Sequence, residues 1–244
     1  MTVTVTTAVD QAARRMAADA GALAARPLSW QRREWAALGA VTLGTALVYR
    51  YDADIRHAVQ THHNAGLQVF SEIGNPLGDG RVLLPALGLA ALWGAHRDDA
   101  VLTGTAATAA EAALFAGGGA YLAKRLTGRA RPDAGLGPRD WNGPGAGGDA
   151  RQSFPSGHAA AAFAVAAVVA GRHPAAAVPA YGLAALTGYA RLERDRHWGS
   201  DVAAGAALGL WIGHSLARRH PAGAPRVALM PLAGGTALTL TWNR

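Results

Sequence analysis

The sequence predicts an all-α protein, a six-helix membrane bundle with a short C-terminal β-hairpin. Half of the 244 residues are apolar, Ala and Gly are abundant, and aromatics make up only 7%. Small side chains of this kind suit closely packed helices better than a β-sandwich. Six apolar runs are joined by polar connections, and helices apolar nearly all round sit in a membrane or in a large core. At the end of the chain, Leu238, Leu240 and Trp242 alternate with Thr239 and Thr241 behind Gly234-Gly235, a hairpin pattern.

Composition narrows the function classes. The chain has no Cys, which excludes disulfides and thiolate metal sites. A formal charge of +7 and a pI near 10.7 call for an anionic partner. No nucleic-acid signature accompanies the charge, so phosphate groups and a membrane are expected rather than nucleic acid.

Residues 1–33 form an N-terminal segment without the pattern of a signal peptide. Within it, Val9 to Ala25 reads as an amphipathic helix with Arg14, Arg15 and Asp19 on its polar side, lying on a membrane surface or solvated. Residues 34–220 hold the six runs, beginning with Trp35 to Tyr49. A polar stretch from Arg50 to Arg81 follows, where His57, His62 and His63 read as surface residues and Gly74-Asn75-Pro76 and Gly78-Asp79-Gly80 mark turns. The remaining runs are Val82 to Ala95, Ala100 to Ala123, Ala159 to Ala170, Pro174 to Ala190 and Val202 to Leu216. Several fall short of the ~20 residues a bilayer span usually needs. Glu111 interrupts the third, and a charge there is expected to face the bundle interior. Residues 221–244 form the tail with the hairpin pattern.

The stretch Ser153-Phe154-Pro155-Ser156-Gly157-His158 organises the chain. Ser156 suits an N-cap, Gly157 admits close backbone approach, and the free N–H groups of a first helical turn attract an anion. His158 adds a group that exchanges protons near neutral pH. The Gly- and Pro-rich region Asp133 to Gln152 ahead of it reads as a lid.

Two further clusters lie at run ends: Lys124-Arg125-Leu126-Thr127-Gly128-Arg129-Ala130-Arg131-Pro132 and Ala190-Arg191 with His197-Trp198-Gly199-Ser200-Asp201. Alternating helix directions put Lys124, Arg131, Ser156, Gly157, His158, Arg191, His197 and Asp201 on one face. Guanidinium groups take phosphate oxygens in pairs, and Lys adds a point charge. His197 and Asp201 stand at i,i+4, so a carboxylate can hold one ring nitrogen and leave the other as a nucleophile. No metal or other cofactor is required.

Together the three clusters resemble the motifs of the type 2 phosphatidic acid phosphatase superfamily, which includes membrane lipid phosphatases, soluble acid phosphatases and vanadium haloperoxidases. The resemblance covers roughly Trp35 to Leu216. It implies that residues 34–220 are a helical phosphatase domain in which His197 forms a phosphohistidine, Asp201 orients it and His158 is the acid. Lys124, Arg131, Ser156, Gly157 and Arg191 would hold the phosphate. The substrate would be a lipid phosphate monoester or pyrophosphate, of the phosphatidic acid, phosphatidylglycerophosphate or polyprenyl pyrophosphate type. The protein would be a multi-pass cell-membrane protein, in a bacterial inner membrane with its site facing outward. One departure stands out: the third motif usually begins Ser-Arg, and here Ala190 occupies the Ser position. The alternatives are a soluble acid phosphatase, a vanadate-dependent haloperoxidase-like enzyme, and a catalytically silent lipid-binding membrane protein.

Overall fold

The computed structural model describes residues 5–62, 64–145, 147–221, 226–232 and 235–241, so His63, Gly234 and Trp242 lie outside the described residues. The described residues form helices α1 Val5–Ala25, α2 Arg32–Arg50, α3 Asp52–Thr61, α4 Ala65–Gly74, α5 Gly80–His96, α6 Ala100–Thr127, α7 Gly157–Arg172, α8 Ala177–Glu193 and α9 Gly199–Arg219. Strands β1 Arg226–Leu232 and β2 Gly235–Thr241 pair antiparallel, from Arg226 opposite Thr241 to Leu232 opposite Gly235.

The six apolar runs become α2 and α5 to α9. The polar stretch between the first two runs is not a loop: it folds as α3 and α4. Asn64 caps α4, its Oδ1 accepting from the Leu67 N–H at 3.0 Å. These helices lack a continuous apolar run, because α3 is polar on most of its surface and α4 is only ten residues long. Among the described residues, α6 is the one helix long and apolar enough to cross a membrane, and 56% of its apolar window is buried. The other runs are short or rich in weakly hydrophobic Ala and Gly, so length and apolarity do not mark six spans.

Helix α7 occupies the centre, packed between α6, α8 and α9. Its Ala159, Ala160, Ala164, Ala167 and Val168 are fully buried. Against it α9 presents Gly205, Gly209 and Gly213. A Cβ at these positions would come within 2.3 Å of the Ser156 carbonyl oxygen, 2.2 Å of that of Ala160 and 2.4 Å of that of Ala164. Backbone therefore rests on backbone, which only glycine permits.

Helix α1 does not merely lie on a surface. Arg14 is exposed, but Arg15 and Asp19 turn into the bundle. Arg15 Nη2 donates to Glu111 Oε2 at 2.8 Å, and Asp19 pairs with Arg219 and with His220 Nε2, the latter at 2.7 Å. Glu111 faces the interior as expected and is 6% exposed. A buried carboxylate needs a counter-charge, and α1 supplies it.

Gly209→Val should prevent tight α7–α9 packing and cost about 3 kcal/mol or more. Gly117→Ala, on α6 with nothing within 4 Å of the new Cβ, should be neutral or gain about 0.5–1 kcal/mol. Thermal unfolding of the purified variants checks both.

Candidate functional site

At the end of α6, Gly128 takes a left-handed conformation (φ 58°) and closes the helix. The chain then runs through Arg129 to Pro132, where described residues of the 133–152 region pair with it. The Ala130 N–H donates to the Asp140 carbonyl at 3.0 Å, the Arg131 N–H to that of Ala150 at 2.9 Å, and the Ser153 N–H to that of Arg129 at 3.1 Å. The region is thus a packed brace joining the first cluster to the second. Lys124, in the last turn of α6, donates its Nζ to the carbonyls of Gln152 (2.6 Å) and Ser153 (3.2 Å).

Ser156 is the N-cap of α7, its Oγ accepting from the Ala159 N–H at 3.4 Å. Its own N–H donates to the Asp201 carbonyl at 2.9 Å, which joins the start of α7 to the start of α9. Gly157 faces Lys124: a Cβ there would lie 4.0 Å from the lysine Cε. His158 is half-buried in the first turn, within electrostatic reach of Arg191, Asp79, Lys124 and Arg131.

The third cluster is fixed by its own backbone. Both the Arg196 and His197 N–H groups donate to the Arg191 carbonyl, at 3.1 and 3.2 Å. Asp195 sits in the left-handed region (φ 56°), held by a two-pronged bond from Arg56 at 2.7 and 2.6 Å. Arg191 is 7% exposed; its Nη1 donates to Asn75 Oδ1, while its Nε has no partner among the described residues. Arg131 donates to the Asp149 carbonyl at 2.7 Å, to Asp149 Oδ1 at 2.8 Å and to the Arg196 carbonyl at 3.2 Å.

His197 lies at the centre, 4% exposed. Burial, and then the charges of Lys124, Arg191, Arg131 and His158, hold its ring well below the usual imidazole range, so it is neutral at pH 7. All eight candidate residues therefore fall at one end of the bundle. One expected contact is longer than the spacing suggests: His197 Nδ1 is 3.7 Å from Asp201 Oδ2 and has no hydrogen-bond partner among the described residues. The Asp201 oxygens are already engaged. Oδ1 accepts from Arg129 at 2.5 Å, and Oδ2 from Ser153 Oγ at 2.5 Å and from the Trp198 N–H at 2.8 Å.

Sequence reasoning missed the groups behind Asp201. Arg129 is fully buried and bonds Asp201, Ser200 and Asp52. Its signal was available, since it lies inside the first cluster. Asp52 gave none, because its partner is 77 residues away. Beside Arg191 a polar cleft of about 550 Å³ runs along α4, lined by Gln68, Ser71, Asn75, Arg194 and Arg196 and by the acids Glu72, Glu193 and Asp195.

Among the described residues, one group of side chains has metal-ligand chemistry: Asp19, Glu111 and His220 offer atoms within 4.8 Å of one another. It lies at the opposite end of the bundle, and the guanidinium groups of Arg15 and Arg219 already pair with its two carboxylates.

Comparison with known proteins bears on this arrangement. The model of the PAP2 superfamily matches residues 105–222, which contain all eight candidate residues. The match spans just under half of this chain. The lipid A 1-phosphatase of Porphyromonas gingivalis is 39% identical over 101 residues, 40% of this chain, and the match spans 20% of that protein's length. The crystal structure of Aquifex aeolicus LpxE superposes with a TM-score of 0.54 at 24% identity, over 68% of this chain and 94% of that one. A transmembrane PAP2-type phosphatidylglycerolphosphate phosphatase from Bacillus subtilis gives a TM-score of 0.49 at 19% identity, covering 72% of this chain and 92% of its own. The likeness to LpxE shows that the two chains share a helical fold.

The state of His197 leads to a pH prediction. Its folded-state value lies below that of the unfolded chain, near 6.5. The unfolded state therefore takes up more protons as pH falls below about 6.5, and stability should drop there. His197→Gln should flatten this dependence in unfolding titrations. The ring resonances of His197 in NMR should stay those of a neutral imidazole from pH 8 down to pH 6.

Proposed function

We propose that this chain is a metal-independent phosphatase that hydrolyses a phosphate monoester or pyrophosphate on a lipid through a phosphohistidine intermediate. The observation that carries the reading is the convergence of Lys124, Arg131, Arg191 and His158 on a buried, neutral His197. A neutral ring keeps the lone pair that attacks phosphorus. Without substrate, burial and then Arg191 hold the His158 ring down to about 4, and the phosphate dianion that covers these cations restores its proton. As the N–P bond forms, the bond to the leaving oxygen breaks and its electron pair stays with that oxygen, to which the protonated His158 gives its proton. Water then attacks the phosphohistidine, His158 takes up a proton, and His197 departs neutral with phosphate released. Lys124, Arg131, Arg191, Ser156 and the N–H groups at Gly157 balance the charge on the equatorial oxygens. As His197 acquires charge, its Nδ1–H closes on Asp201 from 3.7 Å toward the ~2.8 Å of a charge-assisted bond.

A membrane setting is supported by the outer surface of the bundle. Leu43 and Leu47 on α2, Leu89 and Trp93 on α5, and Leu122 and Leu126 on α6 are each more than half exposed. A belt of this extent marks contact with lipid or another protein. We place the protein in the cell membrane as a multi-pass protein, with the site facing outward as the family resemblance implies. The polar cleft beside Arg191 offers room for a hydrophilic headgroup. Substrates of the phosphatidic acid, phosphatidylglycerophosphate and polyprenyl pyrophosphate types are joined by the lipid A 1-phosphate that the P. gingivalis relative's name specifies.

The deciding experiment presents these lipids to the purified protein in EDTA. Wild type should release phosphate from at least one, and His197→Ala should lose at least 10³-fold in kcat. Orthovanadate should inhibit more tightly than phosphate, because its five-coordinate geometry matches the transition state. Vanadate binding no tighter than phosphate, or unchanged in His197→Ala, would leave only a phosphate seat. His158→Ala should lose roughly 10²–10⁴-fold with alkyl phosphates and far less with an aryl phosphate whose leaving group departs unprotonated. Parallel rate measurements on the two substrates test that assignment.

A further inference from the structure

We propose that Asp52 and Arg129 are positioning residues of the phosphoryl-transfer site, acting on His197 through Asp201 as a buried chain of alternating charge. The proposal rests on the reading of His197 as nucleophile. Arg129 and the carboxylates of Asp52 and Asp201 are all sealed from solvent. Arg129 Nη1 donates to Asp201 Oδ1 at 2.5 Å and its Nη2 to Asp52 Oδ2 at 2.7 Å. Ser200 binds Asp52 and Arg129: its N–H donates to Asp52 Oδ1 at 2.8 Å, its Oγ donates to Asp52 Oδ2 at 2.6 Å, and Oγ accepts from Arg129 at 2.8 Å. The guanidinium also lies against the rings of Trp141 and Tyr49, 4.8 and 4.9 Å from their centroids. An arginine held from so many sides has its rotamer fixed.

The chain of charge has a chemical consequence. Taken alone, Arg129 would cancel most of the negative charge that Asp201 offers to His197. Asp52 cancels Arg129 in turn, so the triad Asp52–Arg129–Asp201 carries one net negative charge. That charge faces an imidazole on which Lys124, Arg131, Arg191 and His158 all act. It opposes the cations as the ring becomes positive during attack. Geometry follows the same route. Asp52 opens α3 and Asp201 opens α9, so one guanidinium fixes the spacing of the two helix starts and with it the angle at which Asp201 meets His197.

The test is Asp52→Asn, which changes a charge at nearly constant volume, with Ser200→Ala as a control that removes hydrogen bonds in the same place and leaves every charge. Asp52→Asn should lower kcat roughly 10-fold or more with KM nearly unchanged. With Arg129 uncompensated, the acid limb of kcat/KM and the NMR titration of the His197 ring should both move to lower pH by roughly half a unit or more. Ser200→Ala should leave both midpoints in place. The double variant Asp52→Asn/Arg129→Gln leaves Asp201 uncompensated and should move them the other way, which keeps the proposal open to test where the single variant folds poorly. A His197 midpoint unmoved in Asp52→Asn, or moved equally in Ser200→Ala, would reduce the triad to a structural ion pair. The ring titration needs no turnover, so it stands or falls separately from the phosphohistidine reading, which fails if His197→Ala stays active.

Discussion

Everything at the candidate site depends on how closely α9 lies on α7. Gly205, Gly209 and Gly213 let the two backbones touch along three successive turns. The first of these contacts is with the carbonyl of Ser156, the residue that caps α7 and whose N–H bonds the Asp201 carbonyl. The glycine seam therefore sets the separation of two helix starts. One presents open N–H groups with His158, and the other carries Asp201 beside His197. A side chain in that seam would push apart the two halves of any group bound between them, so a packing constraint in the middle of the bundle becomes a catalytic constraint at its end.

The second organising force is electrostatic. Buried charges in this protein come in neutralising sets, because a lone ion in a low-dielectric interior is costly. At one end Arg129 stands between two carboxylates. At the other, Asp19 and Glu111 are matched by Arg15, Arg219 and His220. Between them lies an uncharged Ala and Gly core. Lys124 and Arg191 at the candidate site are the exception, since they rely on carbonyl and amide oxygens rather than a carboxylate. An excess of positive charge is what an anion site requires, and after burial it is the second cause that keeps His197 neutral.

Much of this was legible in the sequence, and the parts that were not share a cause. The three clusters and their common face followed from motif spacing and alternating helix direction, because both are local properties. The six apolar runs became helices for the same reason. Helices α3 and α4 were passed over because hydrophobic runs reveal helices that bury a stripe, and α3 shows mostly polar side chains. Region 133–152, read as a lid, proved to be a brace whose backbone pairs with residues 127–131, and Gly-rich composition alone does not distinguish the two. The role of Asp52 depends wholly on a contact with a residue 77 positions away, which no spacing rule reports. The position of Asp201 relative to His197 was legible to within a helical turn, but the 3.7 Å separation was not, because Ser153, Trp198 and Arg129 compete for the same two oxygens.

The segment that matches the PAP2 superfamily begins at residue 105, inside α6, and leaves α1 to α5 ahead of it. Yet Glu111 within that segment is paired by Arg15 on α1, and Arg129 by Asp52 on α3. The boundary of similarity is therefore not a boundary of electroneutrality. A fragment cut at residue 105 would keep every motif, yet it would leave the buried Glu111 carboxylate without Arg15 and reduce the triad to the neutral Arg129–Asp201 pair, which offers His197 no net charge. Ancestry and physical self-sufficiency divide this chain at different places, and the first five helices complete a charge pattern that the shared segment leaves open.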